Sequence, residues 1–270
     1  MSKFDIKDTI DNCIYYAYNF TSDIFFNLKK NDKKILLKNK KFLGKHINQR
    51  CFILGTGPSL NNLSCSHVSK LKSEITFGVN FLYKAVVVKD LLPTYYSLCD
   101  NIFWGSSKHT FREVHDRYSL RPPVFITDIR ARDVLSSYGI FDECITLYTR
   151  HYPVNRMRYD LTKNLSISMN VIGMSIQVAM YMGFREIVLL GCDYNSFCSA
   201  SLLHCYDDNS ECCELPKYNL AFYLKFYYLT TSFHYLIAKL AKDMDIKIYN
   251  ATENSLLDSY PIRPIDDFFI

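Results

Sequence analysis

Glycine and proline are scarce, nine and eight residues in a chain of 270, which excludes collagen-like, low-complexity and linker-rich architectures. The ten cysteines include no C-x-x-C pair and lie partly inside apolar runs, so free buried thiols are expected rather than a disulfide framework. No secretory leader is legible. The stretch from Met1 to Cys13 carries charges where a leader needs an apolar core, and the chain is expected to stay in a reducing cytoplasm. Long uncharged apolar runs are missing too: the most apolar stretch, 219–238, holds Lys225 and His234 and reads as a core-facing helix, not a membrane span. No Gly-Lys-Ser/Thr follows the glycine-rich turn near residue 55, which excludes a P-loop. No repeat period or Pro/Gly/Ser-rich linker divides the body.

What is present is core material. Hydrophobic residues make up 49% and charged residues 22%, and 19 Phe with 21 Tyr supply large flat side chains for an interior. The net charge of +5 is unevenly placed: between Leu28 and Arg50 nine Lys or Arg face one acid, Asp32, so this segment holds +8 and the rest about −3. The lysines alternate with Ile35, Leu36, Leu37, Phe42 and Leu43. Such an amphipathic pattern fits peripheral contact of residues 28–50 with an anionic membrane face, or a solvated basic helix that keeps the protein soluble. Residues 1–49 are accordingly set apart as a basic amphipathic N-terminal extension. Nucleic-acid binding is not expected, because no reader module accompanies the charge.

From residue 50 to 270 a single domain is expected. Seven strand-like runs stand out: Arg50–Gly55, Ile75–Asn80, Thr94–Asp100, Val124–Thr127, Cys144–Tyr148, Glu186–Gly191 and Ile246–Asn250. Helical patterns at about 64–72, 106–117, 168–183 and 217–244 separate several of them, the third apolar nearly all round and so buried. Alternation of this kind predicts an α/β fold, a Rossmann-like doubly wound and mostly parallel sheet. The Tyr/Phe-rich stretch 217–235 fits either core packing or the interface of a homo-oligomer.

Ligands of such sheets sit at the carboxyl ends of the strands. Those ends read Gly55-Thr56-Gly57-Pro58-Ser59, Asn80, Cys99-Asp100-Asn101 and Gly191-Cys192-Asp193-Tyr194-Asn195. The first turn can bring backbone N–H groups and a hydroxyl to a phosphate, or be a plain strand-to-helix turn. Asn80 and Asp100 can bond a sugar or base edge, or cap the chain; Asp193 can do the same, or hold a loop through backbone N–H groups. Asn170, near the start of the buried helical stretch, joins this nucleotide-binding set. The irregular stretch from Tyr194 to Pro216 has the length of a lid, and His204 within it is the candidate general base. A zinc site built from His204, Cys198, Cys205, Cys212 and Cys213 fits no standard spacing, and no metal ligands are assigned.

With these residues laid out, the chain resembles the bacterial sialyltransferases of glycosyltransferase family 42, together with polysaccharide-locus proteins similar to the archaeal hydroxymethylpterin diphosphokinase. The motifs are Phe52-Ile-Leu-Gly-Thr-Gly-Pro-Ser-Leu60, Phe77-Gly-Val-Asn80, Pro93 to Asp100, Gly183 to Asp193, His204-Cys-Tyr-Asp207 and Ile246 to Leu257, in order along about 50–260. The resemblance implies a single-domain transferase of the GT-A-variant type. It would move an acidic sugar, sialic acid or Kdo-like, from a CMP-activated donor to a hydroxyl of a surface glycan or lipid-linked acceptor, without a metal cofactor. It places the nucleotide on Thr56, Gly57, Ser59 and Asn80, and makes His204 the base. Asn195 stands where the sialyltransferases carry a phosphate-contacting Tyr, so Tyr194 or Tyr206 would take that contact. The alternatives are ATP- and Mg²⁺-dependent pyrophosphoryl transfer and non-catalytic nucleotide-sugar binding in polysaccharide assembly.

Overall fold

The computed structural model describes residues 3–198, 204–206 and 218–269. Seven parallel strands form one sheet: β1 (Arg50–Leu54), β2 (Ile75–Val79), β3 (Tyr95–Leu98), β4 (Val124–Asp128), β5 (Ile145–Leu147), β8 (Glu186–Leu190) and β9 (Lys247–Asn250). Their order is β5-β4-β3-β2-β1-β8-β9, and a separate parallel pair joins β6 (Thr149–His151) to β7 (Leu165–Ser166). The sheet is the doubly wound α/β arrangement that the alternating pattern predicts.

Runs such as Arg50-Cys-Phe-Ile-Leu54 lack polar alternation because both faces of the sheet are covered. Cys51 and Ile53 face the core layer shared with α6 (Val171–Tyr181) and α7 (Leu220–Asp243), whereas Phe52 and Leu54 face the layer containing Leu71 of α3 (Cys65–Leu71), Phe111 of α4 (Thr110–Arg117) and Leu135 of α5 (Arg132–Ser137). Every residue of α6 from Ile172 to Tyr181 is buried, as its all-round apolar pattern implies.

The order fixes where a ligand crevice opens. From β1 the chain builds outward through β2 to β5, then crosses back through α6 to place β8 on the other side of β1. The carboxyl ends of β1 and β8, paired at Leu54 and Leu190, are therefore the switch point.

The segment before β1 is packed against the body. Helix α1 (Lys3–Leu28) lies along β6, and α2 (Lys30–Leu37) is followed by a short 3₁₀ turn, 38–42. Leu36 and Phe42 are buried, and the buried Asn39 amide donates to the carbonyls of Thr146 and Leu161 at 2.7 and 2.8 Å. Among the described residues no helix is long and apolar enough to cross a membrane.

Candidate active site

At the switch point the β1 and β8 turns are locked together. Gly55 N–H donates to Leu190 O at 2.7 Å and Gly57 N–H to Gly191 O at 2.8 Å. Ser59 donates twice to Asp193, from its backbone N–H to Oδ1 at 3.2 Å and from its hydroxyl to Oδ2 at 2.7 Å. A Cβ on Gly55 would stand 2.4 Å from Gly191 O, and one on Gly57 would stand 1.9 Å from Asp193 Oδ2. The sequence reading left these glycines either to ligand approach or to a plain strand-to-helix turn. Their missing Cβ atoms admit the neighbouring turn, and the N–H groups of Gly55, Gly57 and Ser59 are engaged inside the protein. Asp193, too, acts as the loop brace. Behind it, Thr252 Oγ1 accepts from Cys192 N–H at 2.9 Å and Ser255 donates to Cys192 O at 2.6 Å, fixing the β8 turn from the far side.

In front of the locked turns opens a cavity of about 530 Å³. Ten of the residues expected from the sequence line it: Gly55, Thr56, Gly57, Pro58, Asn80, Asn170, Gly191, Asp193, Tyr194 and His204. Asn80 sits at φ +47° after β2, held by its N–H to Ser97 O and by the Tyr96 hydroxyl donating to its own carbonyl at 3.0 Å. The residue lines the cavity, and its buried side-chain Oδ1 has no protein partner. Asn170 caps α6, its Oδ1 accepting from the N–H groups of Ile172 and Gly173 at 2.8 and 3.3 Å. That cap leaves the first turn of α6, Val171 and Ile172, on the cavity wall with the positive end of the helix dipole. Tyr194 stands at φ +59°, a left-handed conformation uncommon for a bulky residue, and its hydroxyl donates to Thr230 of α7. Burial pushes the Tyr194 phenol up.

His204 reaches the cavity because the next residue docks on the glycine turn: Cys205 N–H donates to Thr56 O at 2.9 Å. Its ring lies parallel to Tyr206, 5.0 Å between centroids and 2° between planes. The other candidates are placed elsewhere. Ser59 turns towards Asp193 and a second cavity, Asp100 is exposed beyond β3, and Asn195 lies just past the wall. Tyr206 is buried against Phe81 and so supports His204 from beneath instead of facing a donor phosphate. The rest of the expected lid, residues 199–203 and 207–216 with Cys212 and Cys213, lies outside the described residues. Among those described, no group of three His, Cys, Asp or Glu side chains is placed to hold a metal.

One wall was missed by the sequence reading. Tyr218, Tyr223, Phe226 and Tyr227, on and just before the first turns of α7, face the same cavity. The signal was there as aromatic density, yet core packing explains that density equally well. The N-cap Asn219, accepting from Phe222 N–H at 2.9 Å, sets where α7 starts and hence which rings turn inward.

A family model described as 6-hydroxymethylpterin diphosphokinase MptE-like matches residues 18–197. The chain belongs to this MptE-like family. The match begins inside α1, so the MptE-like unit includes most of the segment before β1. No curated protein matches the sequence. Among solved structures the chain is similar to the MAf glycosyltransferase from Magnetospirillum magneticum AMB-1, with 12% identity and a TM-score of 0.51, over 87% of this chain and 38% of that one. It is also similar to the sialyltransferase CstII from Campylobacter jejuni, solved with cytidine-5'-monophosphate: 16% identity, TM-score 0.49, 81% of this chain and 86% of that one. At these identities the likeness concerns the fold.

Proposed function

We propose that this MptE-like protein is a glycosyltransferase that takes an acidic sugar from a CMP-activated donor and passes it to an acceptor hydroxyl. The observation that carries the reading is the docking of His204, through Cys205 N–H and Thr56 O, onto the rim of the switch-point cavity. There its imidazole takes the proton of the acceptor hydroxyl as that oxygen attacks the anomeric carbon, and the bond from that carbon to the donor phosphate breaks. Charge gathers on the departing phosphate. The first turn of α6 receives it, because the positive end of the helix dipole favours an anion there. Asn80, a cavity residue whose Oδ1 has no protein partner, would accept from a nucleobase exocyclic amine, which cytosine has and uracil lacks. The rings of Tyr223 and Phe226 offer flat surfaces for the acceptor.

The family description favours a second reading, pyrophosphoryl transfer from ATP. That reaction calls for carboxylates around Mg²⁺. The described cavity wall has one, Asp193, and both its oxygens hold Ser59, so the described donor set does not fit the ion. Calorimetric titration of the protein with CMP, UMP and ATP, with and without Mg²⁺, separates the readings. Metal-independent binding of CMP in preference to UMP is expected. Binding of ATP that requires Mg²⁺ would replace the glycosyl reading by the phosphoryl one, and no binding at all would leave a scaffold role.

A further inference from the structure

Helix α1 docks on the body through its polar side. Asn19 and Tyr152 exchange two hydrogen bonds of 2.7 Å, Ser22 donates to Arg150 O at 2.8 Å, and Arg158 donates to both oxygens of Asp23 at 2.9 Å. Tyr15 stacks on Tyr152 with ring centroids 3.5 Å apart. The opposite side is apolar and bare: Ile10, Ile14, Phe20, Ile24, Phe25 and Leu28 are 44–70% exposed. A helix of a soluble domain normally buries its apolar stripe, so α1 is inverted. From Ile10 to Leu28 the stripe runs about 27 Å at 1.5 Å per residue.

The stripe runs directly into the basic segment. Lys30, Lys34, Lys40 and Lys45 are exposed there, interspersed with the exposed Leu37, Leu43 and Ile47, while Asp32 is paired with Lys29 at 3.7 Å. We propose that α1 and this lysine segment together form a docking surface for an anionic lipid bilayer. The Ile/Phe/Leu stripe would enter the headgroup boundary lengthwise, and the lysines would meet acidic headgroups. Charge selects this occupant. A second copy of the chain would bring the same excess of positive charge to the contact, whereas an acidic lipid surface complements it. Because the polar face of α1 stays bonded to the body, the helix has no need to detach in order to bind. The proposal is independent of the reaction assigned to the cavity.

The test is co-sedimentation of the full chain with vesicles of phosphatidylglycerol and phosphatidylethanolamine, and with vesicles of phosphatidylcholine alone. Binding to the acidic vesicles only, weakening as salt is raised, is expected. Ile10→Asp with Ile24→Asp should lower partitioning by at least about tenfold, with the circular-dichroism melting curve unchanged because both side chains are exposed. Should that pair fail to fold, Lys30→Gln, Lys34→Gln and Lys40→Gln provide a second route, each weakening partitioning about fivefold. Absence of binding to acidic vesicles, or binding that survives both sets, overturns the proposal. A dimer in light scattering that the isoleucine pair disperses, without vesicle binding, assigns the face to a second copy instead.

Discussion

Asp193 holds Ser59 with both carboxylate oxygens, tying the turn after β8 to the turn after β1 across the mouth of the crevice. The carboxylate is buried, so losing either partner leaves a polar group without water or protein to bond. Asp193→Ala is expected to cost about 2–3 kcal/mol and Ser59→Ala about 1–2 kcal/mol. In urea unfolding the double variant should fall short of the sum by about 1 kcal/mol, because one interaction is removed twice. Simple additivity would mean that the two side chains do not act as a pair.

At Asn80 one side chain has two separable jobs, and a single substitution divides them. The residue sits at φ +47°, where glycine is at ease, and it lines the cavity with its Oδ1 left without a protein partner. Asn80→Gly keeps the turn and removes the acceptor. Its melting temperature should match that of the parent protein, while affinity for CMP falls by about tenfold, the worth of one hydrogen bond to a desolvated group. Discrimination of CMP from UMP should shrink with it. Unchanged discrimination would place the base elsewhere.

For His204 the decisive comparison is binding against turnover. His204→Ala removes the imidazole but leaves the Cys205 N–H bond to Thr56 O, so the cavity wall stays in place. Turnover with a CMP-linked acidic sugar should drop about 10²- to 10⁴-fold, and CMP affinity measured by calorimetry should stay within a few-fold of the parent. Turnover that survives the substitution would remove His204 from the reaction.

How far the sequence could be read depended on whether a residue's type determined its partner. Continuous apolar runs such as Glu186-Ile-Val-Leu-Leu190 announce a strand buried on both faces, and all seven main strands were legible for that reason. Strands β6 and β7, three and two residues long, are too short to show a period. Gly57 was visible as a site glycine, but its role was not: whether a missing Cβ makes room for a ligand or for Asp193 depends on the return of β8, more than a hundred residues later. Helix α1 eluded the reading for a similar reason. No helix was read in residues 3–28, and the bonds of Asn19 to Tyr152 and the Asp23–Arg158 bridge, which show the side that is docked, join positions more than a hundred residues apart.

Acid should destabilise this fold before its carboxylates titrate. His234 is buried, its Nδ1 2.9 Å from the Tyr260 hydroxyl, and burial brings its pKa down to about 3. His151 is brought down to about 4, by burial first and then by the charge of Arg158. Burial lowers His46 as well. The His234 and His151 rings are neutral in the fold above about pH 4, whereas in the unfolded chain each takes up a proton near pH 6.5. Between about pH 6.5 and 4 the unfolded state therefore binds about two more protons than the folded one, and stability falls as the pH falls through that window. Asp128 acts lower down. Burial pushes its carboxyl up, but bonds from Arg150 and Arg130 outweigh that and hold it below the usual range, so its contribution is lost only as pH falls beneath the ordinary carboxylate range. Urea midpoints at pH 7.5 and 4.5 should differ markedly, and His234→Gln, which has no ring to protonate, should reduce the slope by about one proton. Equal midpoints at the two pH values would show that these histidines are charged inside the fold.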